Sequence, residues 1–203
     1  MKTKIEIKSV FGKVLFAYEK ENNTIKDTLE EAVRSNADLG NAYLRNADLR
    51  NAYLRNAYLR NADLGNADLG NADLRNADLG NAYLRNADLR NAYLRNAYLG
   101  NADLRNADLG NAYLRNAYLG NADLGDWGKL CSCSDILCVS PIGSRNGCTT
   151  IFHTDKGLFV QCGCFRGTLD EFAEKVKETH GDNEHARTYL ALVEFVKQRY
   201  NLY

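Results

Sequence analysis

The sequence predicts an all-β solenoid held between two non-repetitive ends, and three observations carry that reading. Residues 36–125 spell Asn-Ala-[Asp/Tyr]-Leu-[Arg/Gly] eighteen times without a gap. A five-residue period fits neither the 3.6 of a helix nor the alternation of a single strand, so the stretch is a repeat architecture first. From Lys129 onward the composition changes, bringing all six cysteines, the sole Pro141 and all three histidines.

The unit explains itself through its inner positions. Leu and Ala lie two residues apart, so in extended backbone both point to one side and the residue between them points away. Asp, Tyr, Arg and Asn then take the outer surface. One unit is too short to hide its own Leu and must wind and stack on copies of itself. Burying a Leu yields about 1.5–3 kcal/mol, and the repeat offers eighteen. Invariant Ala points to a packing position too tight for a larger side chain, while Leu fills the axis.

These residues resemble the pentapeptide-repeat family, whose motif is A-[D/N]-L-x-x, over 90 of the 203 residues. The resemblance implies a right-handed quadrilateral β-helix with four units per coil, a turn at each corner and about four and a half coils. Neighbouring coils would stack about 4.8 Å apart. Functions in that family are mostly unknown, and a few members bind DNA gyrase as DNA mimics. Residues 36–60 and 76–100 differ only at Arg60 against Gly100, the mark of a duplicated two-coil block.

Four units per coil places every fourth unit in one column. One face then carries Tyr53, Tyr93 and Tyr113, with Asp73 in the remaining coil, and an unbroken Arg55, Arg75, Arg95 and Arg115. Tyr and Arg are the residues most enriched at binding hot spots, so this face is the expected docking site. The opposing expectation is that the rings stack between coils and shield the backbone. Asp48, Asp68, Asp88 and Asp108 form the neighbouring column, where Arg50 and Arg90 stand close enough to neutralise carboxylates that would otherwise suit calcium.

The N-terminal residues 1–35 read as a lid for one open end. Residues 1–20 alternate as a β-hairpin, with Ile5 and Ile7 in the first strand and Val14, Phe16 and Tyr18 in the second. Thr24 and Asp27 make a capping box, followed by a helical stripe of Ile25, Leu29, Ala32 and Val33. At the other end the repeat stops at Asp126, and Trp127 follows as the expected plug.

Residues 126–203 read as a small α+β domain. A short run at 136–139 precedes a hairpin of 149–153 and 158–164 around a four-residue turn at 154–157. Thr168 and Glu171 form a second capping box ahead of Leu169, Phe172, Ala173 and Val176, and His180-Gly181 closes that helix. Asp182 is the expected cap of a last helix carrying Ala186, Tyr189, Leu190, Val193, Val196 and Tyr200. The stretches 142–146, 162–165 and 179–185 resemble a domain of uncharacterised phage and prophage proteins, which implies a context and no activity.

Charge and chemistry narrow the functions. The formal net charge is zero, with ten Asp and ten Arg in the solenoid. Neither nucleic acid nor DNA mimicry suits that balance. The N-terminus lacks an apolar run, so a cytoplasmic protein with reduced thiols and no membrane partner is expected. Cys131, Cys133, Cys162 and Cys164 form C-x-C pairs rather than zinc knuckles, and Cys162 and Cys164 share a strand face with Leu158 and Val160. His153, His180 and His185 have no nucleophile elbow, P-loop or dinucleotide fingerprint beside them. The expectation is a non-enzymatic interaction scaffold with no metal and no cofactor, binding an unidentified protein. A homodimer through the C-terminal domain is a further expectation. Topoisomerase regulation is the alternative, disfavoured by charge.

Overall fold

The computed structural model describes residues 1–130, 136–144 and 147–201, with residues 140 and 141 described by backbone alone. Residues 36–125 wind with a repeat of twenty residues: Asp38 bridges Tyr58, Tyr58 bridges Asp78, and the same parallel offset runs through to Asp103 and Asp123. Each coil therefore holds four five-residue units. Every Leu from Leu39 to Leu124 and every Ala from Ala42 to Ala122 is buried.

The backbone explains why the first position is always Asn. All eighteen repeat Asn residues have φ between +53° and +62°. From Asn41 onward each sits third in a four-residue turn closed by an Ala N–H donating to the preceding Leu carbonyl, as in Ala62 to Leu59 at 3.1 Å, while Asn36 follows the helix, where Ala37 N–H donates to the Ala32 carbonyl. A positive φ at that position is the type II turn requirement, and Asn tolerates the left-handed region better than residues other than Gly. Asn side chains also ladder across coils, Asn76 Nδ2 donating to Asn56 Oδ1 at 3.1 Å and Asn96 to Asn76 at 3.1 Å.

The third position has a backbone task as well. In all ten Asp units the carboxylate accepts the N–H two residues on, for example Arg90 N–H to Asp88 Oδ1 at 2.9 Å and Gly110 N–H to Asp108 at 2.9 Å. That is an Asx bond, and Asn would serve equally. It satisfies a donor that the inter-coil ladder leaves unused.

The N-terminal end is closed by β1 (Lys2–Lys8), β2 (Val14–Glu21) and α1 (Ile25–Arg34). Thr24 and Asp27 form the capping box. Leu29 and Ala32 lie on the axis, while Ile25 and Val33 pack at its rim. The lid also satisfies the first coil's free donors: Tyr43 N–H donates to the Lys8 carbonyl at 2.7 Å, and Tyr53 N–H to Glu30 Oε1 at 2.9 Å.

At the other end a 3-10 turn, Gly125–Trp127, leads the chain back along the last unit, where Leu130 N–H donates to the Ala122 carbonyl. A four-stranded antiparallel sheet follows, in the order β3 (Ile136–Ile142), β4 (Gly147–Thr154), β5 (Gly157–Cys162) and β6 (Phe165–Thr168). α2 (Leu169–His180) and α3 (Glu184–Arg199) cover it. Strand alternation splits the sheet cleanly. Ile136, Cys138 and Phe152 join the solenoid core, while Ile151, Leu158, Val160 and Cys162 face the helices.

Several expectations need correction. The solenoid end is plugged by Leu130 and Phe152, both fully buried, rather than by Trp127. Trp127 is half-buried beside that plug, stacked on Phe159 at 5.2 Å with the Arg166 guanidinium 4.7 Å from its ring. The β4–β5 turn has two residues, Asp155 and Lys156, because Thr154 pairs with Gly157. Cys164 does not share the strand face of Cys162: Gly163 takes φ +59° and Cys164 lies exposed in the turn before β6, a strand the sequence did not announce. The cap of α3 is Asn183, whose side chain accepts from Ala186 N–H, not Asp182.

Candidate functional site

The twenty-residue coil brings the expected site residues together. Tyr53 bridges Asp73, Asp73 bridges Tyr93, and Tyr93 bridges Tyr113. The four Arg therefore stand in one column beside them. Tyr93 and Tyr113 stack with centroids 4.9 Å apart and planes within 6°, and the Arg75 guanidinium lies 5.7 Å from the Tyr93 ring. Stacking between coils is thus present, yet Tyr53, Tyr93 and Tyr113 remain 72 %, 43 % and 47 % exposed.

A second Tyr column shows what the fifth residue of the unit does to a ring. Tyr98 and Tyr118 also stack at 4.9 Å, but glycines stand at their corner. A Cβ at Gly100 would come within 2.7 Å of Tyr98 Oη, and one at Gly120 within 2.6 Å of Tyr118 Oη. Those rings lie over the glycine backbone. On the Tyr93 face every corner residue is Arg, and Tyr93 and Tyr113 are slightly more exposed, at 43 % and 47 %, than Tyr98 and Tyr118, at 38 % and 40 %.

Ion pairing follows one spatial rule with one exception. Repeat Arg residues reach an Asp in their own unit or in the next coil. Arg50 meets Asp48 at 2.6 Å and Asp68 at 3.3 Å. Arg90 pairs with Asp88 and lies 3.7 Å from Asp108, and Arg105 meets Asp103 and Asp123. Arg45, Arg60 and Arg85 pair across coils. The Asp48 column is accordingly laced with guanidinium, as its spacing implied. On the Tyr93 face Asp73 binds Arg75 and lies 3.6 Å from Arg55. Arg95 has Tyr at both reachable positions, Arg115 has Tyr113 in its own unit and no repeat unit in the coil beyond it, and among the described residues neither meets a carboxylate.

Zero net charge therefore hides a partition. The Tyr93 face carries four Arg against one Asp, whereas the neighbouring Asp48 face carries four Asp against Arg50 and Arg90. The total composition could not show this; reading the second variable position against the twenty-residue column could.

The cysteines and histidines arrange themselves differently. Cys162 Sγ accepts from Thr149 Oγ1 at 3.2 Å and lies 3.8 Å from Tyr189 Oη; burial, with Cys162 alongside, pushes the Tyr189 phenol up to about 12. His180 packs on Tyr189 and His185 at ring distances of 6.0 and 5.9 Å. Cys162, His180 and Tyr189 line an open cavity of about 500 Å3 with Phe165 and Phe172. Among the described residues the side-chain hydrogen-bond partners of Cys162 are hydroxyls. Among the described residues no three metal-ligating side chains converge, and Cys131 and Cys133 lie outside those residues. No helix among the described residues is long and apolar enough to cross a membrane.

Comparison with known proteins matches the family of pentapeptide repeats, in eight copies, over residues 35–71, 52–91, 67–106 and 92–126. Among solved structures, a pentapeptide repeat protein from the cyanobacterium Cyanothece is 40% identical, covering 38% of this chain and 50% of its own, with a TM-score of 0.29. A pentapeptide repeat protein of the Arabidopsis thaliana thylakoid lumen is 32% identical over 41% of this chain and 59% of its own, at 0.31. HetL, a pentapeptide repeat protein involved in heterocyst differentiation regulation in a Nostoc cyanobacterium, is 38% identical over 44% and 41%, at 0.31. The chain spans about half the length of these relatives. No curated protein matches it.

Proposed function

From the premise that residues 35–126 are a pentapeptide-repeat domain, whose fold is a right-handed β-helix, we propose that the protein is a non-enzymatic interaction scaffold. The rod presents the Tyr53–Tyr113 and Arg55–Arg115 face to a protein partner. One observation carries the reading: Arg95 and Arg115 are the only two of the ten repeat Arg without a carboxylate among the described residues, and they flank the exposed Tyr93–Tyr113 stack. A surface stabilised for its own sake would pair them, as the other columns do. Exposed aromatic area beside unspent guanidinium is the composition of a binding hot spot. Cytoplasmic placement belongs to this reading, and so does a phage or prophage context for the C-terminal domain.

The test is affinity capture with the full chain. Tyr93→Ala and Arg95→Ala should each weaken capture of a protein partner while leaving the melting temperature nearly unchanged. Capture that survives both substitutions would contradict the assignment of this face.

A further inference from the structure

The same face contains an example of how a carboxylate sits in its Arg column. Asp73 is the one carboxylate among the described residues that is buried, at 8 % exposure. Its Oδ1 accepts from Arg75 N–H at 3.3 Å and Arg75 Nε at 2.7 Å. Its Oδ2 pairs with Arg75 Nη2 and lies 3.6 Å from Arg55 Nε. One carboxylate thus clamps two guanidiniums a coil apart.

Two coils further on, Tyr113 holds the position that Asp73 holds in its own coil. The guanidiniums a carboxylate would clamp there are Arg115 of the same unit and Arg95 of the coil before, the two that lack an acidic neighbour among the described residues. We propose that Arg95 and Arg115 form a carboxylate site filled in trans, by an Asp, Glu or C-terminal carboxylate of an acidic protein segment lying over the Tyr93–Tyr113 stack. The inference rests on the reading that this face docks a protein. Charge-assisted, forked guanidinium–carboxylate bonds supply the selectivity, and the rings supply apolar contact area. A long polyanion fits less well, because the neighbouring face, with four Asp against Arg50 and Arg90, keeps a net negative charge that disfavours it outside the column.

The sequence of the site supplies its own test. Tyr113→Asp installs the internal clamp seen at Asp73, whereas Tyr113→Asn removes the same ring and leaves both guanidiniums open. Binding of a labelled peptide of alternating Glu and Ser to the full chain is followed by fluorescence anisotropy, with the Gln-Ser peptide and a single-stranded oligonucleotide as comparisons. The Glu peptide should bind and the Gln peptide should not. Tyr113→Asp should weaken binding at least about tenfold more than Tyr113→Asn. Arg95→Gln with Arg115→Gln should reproduce the loss without disturbing the fold, which keeps the test valid if Tyr113→Asp folds poorly. Equal effects of Asp and Asn at position 113, no binding of the Glu peptide, or tighter binding of the oligonucleotide would each overturn the inference. If a captured partner depends on Tyr93 and Arg95 but ignores the Asp-versus-Asn choice, the face still docks a protein and only the carboxylate chemistry fails. If capture ignores Tyr93 and Arg95, the docking reading fails, and this inference with it.

Discussion

At the scale of the residue, the unit divides its labour more finely than an inside–outside pattern suggests. Asn81 has φ +57°, a conformation that costs residues with an ordinary Cβ about 1–2 kcal/mol. Asn81→Ala should therefore lower stability by about that amount, and Asn81→Gly by much less, in paired denaturant titrations. Asp88 both accepts the Arg90 N–H and pairs with its guanidinium. Asp88→Asn keeps the backbone bond and should cost less than about 0.5 kcal/mol, since an exposed ion pair contributes little. Asp88→Ala removes the bond too and should cost about 0.5–1.5 kcal/mol. The axial Leu and Ala positions were legible in the sequence because their two-residue spacing is itself a packing statement. The tasks of Asn and Asp were not, because outward polar residues read as solvent-facing until the corner dihedral and the unused N–H are seen. The Tyr–Arg column was legible once the resemblance to pentapeptide repeats supplied four units per coil; its two unpaired guanidiniums required knowing which Asp each Arg reaches.

At the scale of the element, the Arg75 guanidinium holds the Asp73 carboxyl below the usual carboxylate range. Because the folded value is the lowered one, the stabilisation is complete above the ordinary carboxylate range and fades as pH falls through the lowered value. An acid titration of stability should therefore show the Asp73→Asn protein losing less than the wild type at low pH, while the two converge once Asp73 is protonated. The terminal elements follow local rules where these are strong. Both capping boxes, at Thr24 and Thr168, formed where the sequence placed them. Strand β6 was hidden because the Gly163–Cys164 turn interrupts what looks like one continuous apolar strand, and a four-residue edge strand has little pattern of its own.

At the scale of the whole molecule, one hydrophobic cluster runs from Ile7 and Leu29 through the axial Leu residues to Leu130 and Phe152. The C-terminal sheet is thus part of the solenoid's core as well as the floor of its own. Sequence reading placed the plug at Trp127 because it follows the repeat directly; the buried ring comes instead from β4, a contact between distant segments that no local pattern carries. Phe152→Ala should cost about 3–5 kcal/mol and lower the melting temperature of solenoid and C-terminal domain together. Far-UV circular dichroism and Trp127 fluorescence, recorded on the same sample, should report coincident transitions; a separate early transition of Trp127 alone would show that the two parts unfold independently.

The axis and corners are expected to hold the rod while the Tyr–Arg face stays free for recognition. A single pentapeptide holds the decisive comparison, since Tyr93 and Arg95 flank Leu94, which is fully buried. Thermal unfolding of Leu94→Ala should reveal a loss of about 2–5 kcal/mol. The combined Tyr93→Ala and Arg95→Ala protein should lose no more than the stacking contribution of the ring pair, about 0.5–1.5 kcal/mol. A face variant that unfolds as early as Leu94→Ala would contradict the claim and make that face part of the scaffold itself.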